Sequence, residues 1–107
     1  MILDVRVLRG ATPDALVDAI STHLQGEVGV DQYGNPSIRT DAGTIVAAES
    51  LWDVGQVYAE VRSPDGVLAN RVYDILVENS GWDVSLVDSS DNHPEDVVLR
   101  HRVAHAA

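Results

Sequence analysis

The sequence predicts an α+β domain in which two helices lie on one face of an antiparallel sheet. Three observations carry that prediction. Two amphipathic helical segments each open on a Thr/Ser-Pro-Asp triplet, alternating strand-like segments surround them, and no linker or low-complexity stretch divides the 107 residues. A chain of this length matches the common size of one domain, so residues 1–107 are read as a single unit.

Residues 2–9 alternate, with Leu3, Val5 and Val7 on one side and Asp4 and Arg6 on the other, the pattern of a half-buried strand. Gly10 and Ala11 turn the chain into the first helix, 12–26. Thr12 is placed to cap the free N–H groups, Pro13 suits the first helical position, and Asp14 complements the positive end of the dipole. Leu16, Val17, Ile20 and Leu24 then share a face, and Gly26 is expected as the stop. A hairpin follows: strand 28–33, a Gly34-Asn35-Pro36 turn whose first two residues tolerate positive φ, and strand 37–40. The β-branched run 44–48 reads as a further strand, and 49–54 as a loop or helical turn. Residues 56–62 alternate cleanly, with Val57, Ala59 and Val61 against Tyr58, Glu60 and Arg62.

Ser63-Pro64-Asp65 repeats the logic of Thr12-Pro13-Asp14 and predicts a second helix over 63–81. Leu68, Val72, Ile75 and Leu76 form its buried face, and Gly81 its stop. Residues 82–88 read as a strand, 88–96 as a polar loop, and 94–105 as an edge strand in preference to a helix. The resulting order, β-α-β-β-(β)-β-α-β-(β), matches a ferredoxin-like split βαβ sandwich with extra strands. A fold class of that kind implies no function.

Composition closes several routes. There is no Phe and no Cys, so the core is aliphatic, and disulfides, thiolate catalysis and thiolate metal sites are excluded. The basic residues are all Arg, which removes Schiff-base and lysine-base chemistry and fits a GC-rich bacterial or phage genome. Seven Arg against 17 Asp plus Glu leave a net charge of −10, which argues against nucleic acid and against an anionic membrane surface. The same charge keeps a small domain soluble and is compatible with a basic protein partner. The first residues lack an uninterrupted apolar run and do not read as a signal peptide, which makes a cytoplasmic location the expectation.

Each candidate for chemistry has a plainer counterpart. His101 and His105, with His93 upstream, would share one face of a helix and hold a metal ion with Glu95 or Asp96. On a strand the two rings stand too far apart for one ion, and tail histidines need no function. Asp88, Ser89, Ser90, Asp91 and Asn92 offer oxygen ligands without the spacing of a calcium loop, and such residues build any solvated turn. Ser85, His101 and Asp83 can be drawn as a triad, but no Gly-x-Ser-x-Gly elbow supports it. Asp4, Glu60 and Asp83 are carboxylates expected on solvent faces of strands. No phosphate loop is present, and neither a catalytic residue, a metal nor a cofactor is assigned.

The expected function is therefore a small non-enzymatic domain that binds a partner protein, as an inhibitor, an immunity or anti-defence protein, or an assembly factor. Homodimer formation through a sheet edge is a related expectation. Leu51, Trp52 and Tyr58 would supply an aromatic and apolar anchor, and Asp88, Asp91, Glu95 and Asp96 an acidic loop to steer a basic partner. The alternative is a small ferredoxin-like enzyme or ligand-binding dimer with a pocket between sheet and helices.

Overall fold

Alternation at the start of the chain produces an interior strand of a large sheet. The structure, a computed structural model, describes residues 1–8, 10–50, 55–88 and 97–102. In chain order the elements are β1 (Ile2–Val7), α1 (Pro13–Ser21), β2 (Glu27–Val30), β3 (Pro36–Thr40), β4 (Gly43–Glu49), β5 (Val57–Arg62), α2 (Val67–Asn79), β6 (Val84–Asp88) and β7 (Val97–Arg102). The strands form one seven-stranded sheet in the order β2-β3-β4-β5-β1-β6-β7, and every neighbouring pair is antiparallel. The chain is thus α+β, with a sheet larger than the four strands of a simple split βαβ unit. No helix among the described residues is long and apolar enough to cross a membrane.

Both helices lie against the same side of the sheet. α1 packs on β3, β4 and β5, α2 on β1 and β6, and the two helices touch each other. Leu3 faces Val61 and Val5 faces Leu86 across the strands, Ile45 lies on the far side of Val61, and Leu16, Ile20, Val72 and Leu76 join them in one buried cluster. Burying each such side chain contributes about 1.5–3 kcal/mol, which is how a core without Phe holds the layers together. The edge strand β2 is exposed throughout, with Val28 and Val30 at 56% and 70%. Within the segment 94–105, the described residues Val97–Arg102 form a strand. It is fastened to α2 by Arg100, whose guanidinium lies 2.8 Å from Asp74, donates to Asn70 at 3.1 Å and sits 4.2 Å above the Tyr73 ring.

The helix boundaries differ from the expected ones, for local reasons. α1 ends at Ser21 and not at Gly26. The Ser21 and Thr22 hydroxyls both donate to the Asp18 carbonyl, at 3.3 and 2.8 Å, and the His23 N–H reaches back only three residues to Ile20. Hydroxyls bonded in this way compete with the helical ladder. Gly26 serves a different purpose, because a Cβ there would stand 2.8 Å from the Arg39 carbonyl oxygen and from Ile38 Cγ2. It lets the chain enter β2 close against β3.

The second helix begins at Val67, four residues later than the repeated triplet suggests. Ser63 is held by the sheet: its N–H donates to the Met1 carbonyl, and its own carbonyl accepts from the terminal amine at 2.8 Å. Its hydroxyl donates to the Asp65 carbonyl. It is Asp65 that accepts the Val67 N–H, at 3.0 Å, while Gly66 is the N-cap residue and makes no side-chain cap bond. Ser80 ends the helix in extended conformation, so Gly81 is not its stop. Thr12, in contrast, accepts the Ala15 N–H at 3.1 Å and is a true cap. Thr12→Ala is expected to cost about 1 kcal/mol in urea unfolding, and Ser63→Ala a few tenths. Equal costs for the two would contradict the caps as described.

Candidate functional site

Strand alternation sends one set of side chains into the helix-covered core and leaves the other set on the opposite face. That second set is Thr44, Val46 and Ala48 from β4, Tyr58, Glu60 and Arg62 from β5, Asp4 and Arg6 from β1, and Ser85 and Val87 from β6. The register puts Tyr58 between Ala48 and Arg6, and Glu60 between Val46 and Asp4. Two carboxylates thus stand directly opposite one another on adjacent strands, an arrangement that is unfavourable unless compensated. Arg62 Nε lies 2.6 Å from Glu60 Oε1, and Arg6 Nη2 lies 3.8 Å from Asp4 Oδ2. Farther out, Glu27 of β2 faces Arg39 of β3. This face therefore alternates acid and arginine, and carries little of the molecule's excess negative charge.

The β2–β3 turn shapes one end of the face into a cleft. Asp31 builds that turn with its carboxylate, which accepts the Tyr33 N–H at 2.8 Å and the Asn35 N–H at 2.9 Å. Gly34 takes φ +83°, as its place in the turn requires. The N–H of Asn35, and then that of Tyr33, hold the Asp31 carboxyl below the usual carboxylate range, opposed by partial burial. Asp31, Tyr33 and Asn35 then line a cleft of about 580 Å³ together with Val46, Tyr58 and Glu60. A cleft of that size is within the range that accepts a small ligand or a single side chain. Smaller hollows open beside Gly26 and Arg39 and beside Gly66 and Asn70.

Burial raises the Tyr58 phenol above its usual pKa of 10.0, and the charges of Glu60 and then Asp4 add to that effect. The sign follows directly. A raised folded pKa leaves stability unaffected below pH 10 and removes it as pH rises through the folded value. Tyr58→Phe is expected to remove a component of the tyrosinate absorbance titration that lies above pH 10 and to flatten the loss of stability above pH 10. An unchanged titration would contradict this placement.

Of the residues expected to bind a partner, Tyr58 lies in the cleft and Asp88 ends β6 opposite Val97. Leu51, Trp52, Asp91, Glu95 and Asp96 lie outside the described residues, as do His93 and His105. Ser85 stands opposite His101 in the β6–β7 register, but the Tyr58 cleft does not include it. Asp4 is on the helix-free face as expected, yet only 9% exposed, not solvated. No group of three potential metal ligands occurs among the described residues. Trp82 packs against the core. The sequence reading missed the contributions of Asp31, Tyr33, Asn35 and Val46. An Asp two residues before Tyr-Gly-Asn was a usable signal for a side-chain-built turn, but its position beside Tyr58 depends on sheet order. Comparison with protein-family models, with curated proteins and with solved structures finds no match for this chain.

Proposed function

We propose that this chain is a small acidic protein-interaction domain that docks a partner protein through the helix-free face of its sheet. The observation that carries the reading is the cleft at Tyr58, where an aromatic ring, Val46 and Ala48 are presented together beside charged side chains on the sheet. Partly exposed apolar and aromatic groups rimmed by polar ones are the usual make-up of an interaction surface. A net charge of −10 favours a basic partner, whose approach would be steered by the field of the whole molecule. We read the fold as a ferredoxin-like split βαβ sandwich, with β2 and β3 added at one edge and β7 at the other. The order β4-β5-β1-β6, with α1 and α2 as the crossovers, supports that reading.

The test is a comparison of variants in capture from the native host. Val46→Arg and Tyr58→Ala alter the face without touching the helix-side core, and circular dichroism checks that each is folded. The wild-type chain is expected to retain a partner that both variants lose, with association slowing as salt rises. Retention of the same partner by both variants, or salt-independent association, would sink the proposal.

A further inference from the structure

The Tyr58 cleft has a more specific chemistry than a general docking face. Two tyrosines, Tyr33 and Tyr58, two carboxylates, Asp31 and Glu60, and one resident guanidinium, Arg62, line the same concavity. Aromatic faces and carboxylates together are how proteins hold an organic cation, and a guanidinium suits both, stacking on rings and pairing with carboxylates. We propose that this cleft takes an arginine side chain of the partner, an inference that rests on the interaction reading above.

Three further observations support it. Asp31 is kept ionised by the N–H groups of its own turn, so its charge persists when neighbours change. The Tyr58 phenol is raised above its usual range, by burial first and then by the charges of Glu60 and Asp4, two carboxylates that stand next to it on the same face of the sheet. Glu60 already binds a guanidinium, that of Arg62 at 2.6 Å. The Arg62 side chain is 65% exposed, and an ion pair open to solvent is held weakly. An incoming arginine therefore competes with Arg62 for Glu60, while Asp31 and the two rings provide contacts that Arg62 does not have to vacate.

That competition makes the inference testable without the partner. The probe is Nα-acetyl-argininamide, titrated into the 15N-labelled full chain, with Nα-acetyl-citrullinamide as its neutral counterpart. Saturable amide shifts are expected for residues 31–35, 44–48 and 58–62 with the arginine probe and not with the citrulline one. Glu60→Gln is expected to weaken the affinity roughly tenfold, since the guanidinium then faces a neutral acceptor in place of a charged one. Arg62→Ala is expected to strengthen it, because the resident competitor is gone. Equal shifts with both probes, no saturation at the cleft, or weaker binding by Arg62→Ala would overturn the assignment. Should the probe fail while the partner is still lost on Tyr58→Ala, the arginine site falls and the docking face stands.

Discussion

Gly43→Ala is expected to be among the most damaging single-methyl substitutions in this chain. Gly43 opens β4 directly after the β3–β4 turn, where the Thr40 hydroxyl accepts the Gly43 N–H at 3.0 Å and donates to the Gly43 carbonyl at 3.0 Å. The same residue lies against the end of β5, and a Cβ there would run into the Arg62 carbonyl oxygen and approach Ser63 Cβ to 3.0 Å. Backbone cannot swing aside as a flexible side chain does. Arg62 is fixed from both sides, by pairing with Ile2 of β1 and Thr44 of β4. The added methyl must part the strands, at a cost of roughly 2–4 kcal/mol, the upper range for a point substitution. In a domain of this size each kcal/mol lowers the melting temperature by about 4–8 °C. A loss of a degree or two on calorimetry would contradict the close approach. Gly34→Ala is the useful comparison, because nothing stands within 4 Å of its Cβ and only its φ of +83° opposes the change.

Ile45→Ala and Val46→Ala, at adjacent positions, are expected to differ sharply. Ile45 is fully buried beneath α1, between Ile38 of β3 and Val61 of β5. Truncating it leaves a cavity in a core that has no aromatic residue of its own on the sheet to collapse inward, at a cost of about 2–5 kcal/mol. Val46 points to the opposite face and lines the Tyr58 cleft. Its truncation removes partly exposed surface, and its cost is expected below about 1 kcal/mol, with the effect showing in partner binding instead. Urea unfolding of both variants decides between the faces. Similar costs would mean that the part of the helix-free face that carries Val46 is not open as described.

Much of the local structure was legible along the chain. Alternation in 2–7 and 57–62 identified two of the interior strands and their buried sides, because a half-buried strand imposes its period on the residues themselves. Thr12 was recognisable as a cap since capping needs only residues within one turn. The matching triplet at Ser63 misled for the same reason: its letters satisfy a local rule, but its backbone was already engaged by Met1. Gly26 misled likewise, being a glycine that borders a neighbouring strand and not a helix end.

The candidate site was visible only in fragments. Tyr58 was singled out, and Glu60 was noted as a solvent-face carboxylate, but nothing in the sequence joins them to Asp31 and Tyr33, more than twenty residues earlier. The chain by itself determined its element types, an aliphatic core, an excess of negative charge and the absence of thiol and lysine chemistry, since each depends on composition or short-range periodicity. The tertiary structure decided the sheet order, which sets Asp4 opposite Glu60 and brings the turn at Asp31 to the edge of the Tyr58 cleft. That order rests on antiparallel pairings between distant segments and on which strands α1 and α2 cover. Such pairings are selected by the burial of the whole core, a quantity that no single stretch of residues contains.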